Sequence, residues 1–224
     1  MEVLTGSPET LIELRDRVTN RFVKLLRRSG DRGFLGGMPI ADQIDHALGF
    51  VFAVEELLKA PPLSLLDLGT GGGLPGIVLI AAWPEARAVF LDANERRTEF
   101  LQGEVAALPR GADVEIVRGR AEELGRGVLR EDFQVVVSRS FGPPAVTAEC
   151  GSAFVRKGGL LIVSEPPDTD RGRWPSAGLE QLGLSAAEHV NFADRFNYQI
   201  LRKTSELPEK YPRRVGVPGK RPVF

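Results

Sequence analysis

From residue 63 onward the chain repeats one pattern: a short run rich in Leu, Val and Ile, then a segment with helical spacing, then another such run. The runs are LSLLDL, ARAVFLD, ADVEIVRG, FQVVVSR and GGLLIVS. Strands this short and this continuously apolar are buried on both faces, and parallel neighbours need a crossover that the helical segments supply. The pattern therefore predicts an α/β fold, a mostly parallel sheet with helices on both faces. Two later runs, LSAAEHVNF and FNYQILRKT, adjoin across a short turn and are expected to close a seven-stranded sheet as an antiparallel pair. Between GGLLIVS and this pair lies a turn-rich loop, PPDTDRGRWPSAG, with a short helix expected over Gly178 to Leu182.

Two helical patterns precede the sheet. The first, SPETLIELRDRVTNRFVKLLRRSG, has Ser7 in the capping position, Pro8 at the first helical position and apolar residues Leu11, Leu14, Val18, Phe22 and Leu25, and is expected to end at Gly30. Its other face carries Arg15, Arg17, Arg21, Lys24, Arg27 and Arg28, which reads as a solvated face, with phosphate contact as the alternative. The second, IADQIDHALGFVFAVEELLKA, is closed by Pro61 and Pro62. The division expected is a helical extension over 1–60, a ligand-binding domain over 61–207 and a basic tail over 208–224.

The first strand runs directly into DLGTGGGLPG, where glycines let backbone approach a ligand that any Cβ would block. A helix expected from Leu74 would aim its free N–H groups at that ligand. Dinucleotides and S-adenosylmethionine (AdoMet) both use such turns. Here Leu74 stands where a dinucleotide fingerprint wants its third glycine, and Asp67 precedes the turn. A carboxylate repels a pyrophosphate and suits an ammonium, which favours AdoMet. Asp92 ends the next strand, where it can accept both hydroxyls of a ribose in either cofactor. The structural alternatives are a turn-capping role for Asp67 and a helix N-cap role for Asp92.

Cys150 is the single cysteine and His46 and His189 are the two histidines, so neither a disulfide nor a four-ligand zinc site is available, and no metal is expected. A formal net charge of −1 means that any nucleic acid must be held by local basic patches. The start of the chain lacks a basic leader followed by an apolar core, and no stretch reaches the roughly 18 apolar residues of a spanning helix. A soluble, cytoplasmic monomer without a membrane partner is the expectation.

The run DLGTGGGLPGIVLIAAWPEARAVFLDANERRTEFL, followed in order by IVRGRAEEL, VVVSRSFGPP, FVRKGGLLIV and KYPRRVGVPGKRP, closely resembles the glucose-inhibited division protein B family. The resemblance spans about Leu63 to Pro222. It implies a Rossmann-like, class I AdoMet-dependent methyltransferase that modifies guanine N7 in 16S ribosomal RNA, with the small ribosomal subunit as partner. It further implies that Gly69, Thr70, Gly71 and Gly73 wrap the methionine part, that Asp92 holds the ribose, and that Ala121 and Glu122 lie beside the adenine, while Asp67 is expected beside the ammonium on the charge argument above. Arg139, in VSRSFGPP, matches the family's arginine at the reactive end of the cofactor and would reach guanine O6 or a phosphate, with a structural ion pair to Asp67 or Glu165 as the alternative. In the tail, Arg213, Arg214, Lys220 and Arg221 are expected to contact substrate phosphates.

Three positions depart from the family: Asp42 stands where it carries histidine, His46 where it carries serine, and Glu165 where it carries lysine. A carboxylate at the mouth of an RNA site would repel phosphate, which keeps other readings open: AdoMet chemistry on another RNA or a small molecule, or a catalytically silent binding module.

Overall fold

A computed structural model describes residues 8–107, 113–167 and 171–224; Ser7, proposed above as a cap, lies outside them. Two helices come first, α1 (Pro8–Asp31) and α2 (Ile40–Leu58). Then follow β1 (Ser64–Leu68), α3 (Gly76–Ala82), β2 (Arg87–Asp92), α4 (Glu95–Ala106), β3 (Val114–Arg118), α5 (Ala121–Leu124), β4 (Phe133–Ser138), α6 (Pro144–Ser152) and β5 (Val155–Glu165). After a 3-10 turn come α7 (Ser176–Glu180), β6 (Leu184–Phe192), β7 (Phe196–Lys203) and α8 (Val217–Lys220).

The seven strands form one sheet in the order β3-β2-β1-β4-β5-β7-β6. The first five are parallel, while β7 pairs antiparallel with both β5 and β6. The expected sheet and its closing antiparallel pair are thus present. The strand order reverses between β1 and β4, so the crevice at the carboxyl ends of these strands is where such a sheet accepts a ligand.

Alternation along each strand builds two apolar layers. Leu65, Ala88, Phe90, Val135, Val137, Ile162 and Ile200 pack with α1, α2 and α3. Leu66, Leu68, Val89, Leu91, Val136, Leu161 and Leu201 pack on the other face with α6 and α7. Each fully buried Leu or Val side chain contributes about 1.5–3 kcal/mol relative to exposure, so both layers hold the sheet edge in place. The two N-terminal helices share the core: Val18, Phe22 and Leu26 of α1 and Phe50, Ala53 and Val54 of α2 are all buried against the sheet and α3.

Some local details differ from the sequence-based expectation, among them the end of α1 at Asp31, one residue past Gly30. The helix after the glycine turn begins at Gly76, because Pro75 occupies its N-cap. The short helix before β6 starts at Ser176, two residues ahead of Gly178. The region from residue 204 onward folds back on the domain: Leu207 and Tyr211 join the second apolar layer, and the Arg130 guanidinium donates to the Leu207 and Tyr211 carbonyls at 2.7 and 2.8 Å. Among the described residues no helix is long and apolar enough to cross a membrane.

Candidate active site

The alternation of β1 puts Asp67 on the same face as Leu65, under the start of α3, where it is fully buried. Its Oδ2 accepts the Thr70 hydroxyl and the Gly76 backbone N–H, both at 2.8 Å. The turn-capping role is therefore real for one oxygen. The other, Oδ1, has no partner among the described residues. Burial pushes the carboxyl up to about 6, against the opposing pull of Thr70, the Gly76 N–H and the Arg139 charge.

The glycine turn is pinned at two places. The N–H groups of Gly69 and Thr70 donate to the Leu91 carbonyl at 2.8 and 3.0 Å, and the Gly71 N–H donates to Asp92 Oδ2 at 2.9 Å. Gly71 has φ +57 and Gly69 has φ +73; a Cβ on Gly69 would stand 2.7 Å from the Phe141 ring, so no other residue fits there without displacement. Asp92 also accepts the Asn94 N–H through Oδ1 at 2.8 Å, with Arg97 3.6 Å from Oδ2. The cap of α4 is Asn94, whose side chain accepts from the Arg97 N–H, so Asp92 is not the N-cap of that helix.

Three cavities meet at this edge. The first, about 310 Å³, is lined by Gly69, Thr70, Gly71, Phe34, Gln43 and Arg139 among others. The second, about 270 Å³, is lined by Asp92, Ala93, Gly119, Ala121, Glu122 and Phe141 among others. Gly69, Arg97 and Ser140 border both, so the two form one trough running from the glycine turn to the GRAEE segment. The third, about 460 Å³, opens beyond β4 and β5 and includes His46, Arg139, Phe141, Glu165, Trp174 and Phe196 in its walls. Ser140, which holds φ +57, borders all three. Arg139 borders the first and third.

Arg139 bonds neither of the carboxylates considered for it from sequence. Its Nη2 donates to Gln43 Oε1 at 2.9 Å, and its Nη1 is buried with no partner among the described residues. Gln43 in turn donates to the carbonyls of Gly36 and Met38, fixing the glycine link between α1 and α2 beside the trough. Gln43 was not among the residues expected from sequence; a single amide on a helix carries no local signal, because its partner lies 96 residues away. His46 also lines the third cavity, with Nδ1 unpartnered and the ring against Phe50, Phe196 and Tyr198. Among the described residues four buried side-chain N or O atoms lack a partner, and three of them belong to Asp67, Arg139 and His46. Such atoms are costly unless a ligand satisfies them, so three of them at this edge make it the candidate binding site.

Two further expectations need correction. Glu165 is no bare carboxylate: Arg173 donates to it at 2.9 Å and the Trp174 indole at 3.2 Å, which disperses the charge expected to repel phosphate. Arg213 is committed to fully buried Glu149, donating through Nε and Nη2 at 2.9 and 2.5 Å and through its backbone N–H at 2.7 Å, and so is not the open phosphate contact expected of it. Arg214, Lys220 and Arg221 are exposed. Glu122 is buried and accepts the Gly216 N–H at 3.1 Å, which ties the C-terminal segment to the second cavity.

A switch-point crevice with an acid, a glycine turn and a second acid on a β3-β2-β1-β4-β5-β7-β6 sheet is the architecture of the Rossmann-like methyltransferases. A family model described as "rRNA small subunit methyltransferase G" (GidB) matches residues 20–165. The chain belongs to this family. Ribosomal RNA small subunit methyltransferase G of a Thermotoga species (strain RQ2) is 36% identical over 184 residues, 80% of this chain and 78% of that protein. The protein of the same name from Leuconostoc mesenteroides is 34% identical over 175 residues, covering 75% and 73%. Among solved structures, a mutant of MtNAS in complex with S-adenosylmethionine shares the fold, with a TM-score of 0.56 over 88% of this chain and 79% of that one at 15% identity.

Proposed function

We propose that the chain transfers the methyl group of AdoMet to N7 of a guanine in small-subunit ribosomal RNA. The observation that carries this is the position of Arg139, shared by the cavity at the glycine turn and the larger cavity beyond it. The trough suits AdoMet on chemical grounds. Asp67, buried beneath the glycine turn, carries an unpaired carboxylate oxygen whose charge favours an ammonium in the trough, and Asp92, in the trough wall, offers two oxygens to ribose hydroxyls. In this assignment Gly69, Thr70 and Gly71 line the methionine part with Asp67 and Gly73 behind them, Asp92 lies at the ribose, and Ala121 and Glu122 at the adenine.

When bound, AdoMet supplies an electrophilic methyl carbon on sulfonium. Guanine N7 is a neutral lone-pair nucleophile, so the protein need not remove a proton: the N7 pair forms the new bond to carbon while the old carbon–sulfur pair leaves with sulfur. Positive charge passes from the sulfonium to the base. What remains for the protein is alignment and exclusion of water, which together lower a barrier by several kcal/mol. Arg139 holds the acceptor base at the junction, with Gln43 fixing its fork. Phe141, Trp174 and Phe196 give the base flat apolar walls, and Arg214, Lys220 and Arg221 meet phosphates.

The experiment is transfer of label from methyl-tritiated AdoMet to small ribosomal subunits from a strain lacking this gene, with digestion and chromatography of nucleosides. A labelled 7-methylguanosine peak is expected. Label only on a non-ribosomal acceptor, or none, contradicts the proposal.

A further inference from the structure

Two residues in the wall of the larger cavity bear on what it accepts. Arg139, whose buried Nη1 is a donor without a partner among the described residues, also borders the methionine half of the trough, whereas His46 on α2, whose buried Nδ1 is likewise unpartnered, borders the larger cavity and not the trough. Burial, reinforced by the neighbouring Arg139 charge, pushes the His46 imidazole down to about 4, so at neutral pH the ring is uncharged and presents one lone-pair nitrogen. The ring is held in place by edge contacts with Phe50 and Phe196 at centroid distances of 5.8 and 4.9 Å.

A guanine presents N7, O6 and N1–H in that order along its rim: acceptor, acceptor, donor. With N7 directed at the trough, O6 falls against the Arg139 donor and N1–H against the imidazole lone pair. Adenine placed the same way presents its N6 amino donor to Arg139 and its N1 lone pair to the imidazole lone pair, two mismatches at once. We propose that His46, acting with Arg139, is a specificity-determining residue that selects guanine over adenine by accepting the base N1–H. This rests on the reading of the larger cavity as the acceptor site.

The test is equilibrium binding to the full chain saturated with S-adenosylhomocysteine, using the pentaribonucleotides UUGUU, UUAUU and UUIUU and following the fluorescence of Trp174 in the cavity wall. Inosine keeps O6 and N1–H and lacks the 2-amino group. The wild-type protein is expected to bind the guanosine and inosine oligomers alike and the adenosine oligomer about tenfold more weakly. His46→Leu is expected to bring that ratio close to one, whereas His46→Asn, which keeps an acceptor oxygen, is expected to hold it within about threefold of wild type. Unchanged S-adenosylhomocysteine affinity in both variants separates a lost contact from a damaged fold. Equal binding of all three oligomers by the wild type, binding of none, or a guanine preference that survives in His46→Leu would overturn the proposal. A guanine preference that behaves as expected in a protein that transfers no label to ribosomal RNA would support it while counting against the proposed reaction alone.

Discussion

Arg139 and Gln43 meet through a 2.9 Å hydrogen bond that joins the end of β4 to the first turns of α2. The same amide donates to the Gly36 and Met38 carbonyls, so one side chain sets both the guanidinium and the loop that walls the trough. Gln43→Ala leaves Arg139 free to swing and is expected to lower the rate of methyl transfer about tenfold, with AdoMet affinity changed much less. Single-turnover transfer to small subunits, beside calorimetric AdoMet titration, checks this; equal losses in both would contradict a role in orienting Arg139.

In the proposed assignment, Asp67 makes cofactor binding depend on pH. Its carboxyl is raised to about 6 in the folded protein from an ordinary 3.8. For a raised group the stabilising contribution to the unliganded fold is complete below the ordinary value and disappears as pH rises through the folded value. Binding of an ammonium requires the ionised form, so the two effects oppose each other. AdoMet affinity is expected to weaken several-fold as pH falls from about 7 to 5. Asp67→Asn should bind weakly at both ends of that range and lose the slope; calorimetry across the range reads it directly.

Arg213, Arg214, Lys220 and Arg221 of the C-terminal segment divide into two kinds. Arg213→Ala leaves the buried Glu149 without its countercharge, keeping only the backbone N–H of residue 213, which is expected to cost about 3 kcal/mol of stability, visible as a lower denaturant midpoint. Arg214→Ala, Lys220→Ala and Arg221→Ala remove exposed charges and should leave the midpoint nearly unchanged. Combined, they are expected to weaken ribosomal RNA binding and shallow its dependence on salt by about two to three units of slope.

Much of the architecture was legible in the sequence because strand burial and glycine turns are written locally. The five apolar runs, the antiparallel closing pair, the acid before the turn and the acid ending β2 all lie within short windows. The residues that complete the site do not. Gln43 meets Arg139, Glu149 meets Arg213 and Glu122 meets the Gly216 N–H across separations of 96, 64 and 94 residues. Charge patterning registers Arg213 as one more cation in a basic run; only the fold shows that a buried carboxylate on α6 consumes it. Glu165 likewise reads as a reversed charge until Arg173 and Trp174 are seen to bond it.

The most direct test of the proposed reaction is mass-spectrometric quantitation of 7-methylguanosine in 16S ribosomal RNA from a strain deleted for this gene and complemented with either wild-type protein or Arg139→Ala. The wild type is expected to restore the modified nucleoside, and Arg139→Ala to fail while the purified variant still binds AdoMet. Absence of restoration by the wild type, or full restoration by Arg139→Ala, would contradict the roles assigned to this site.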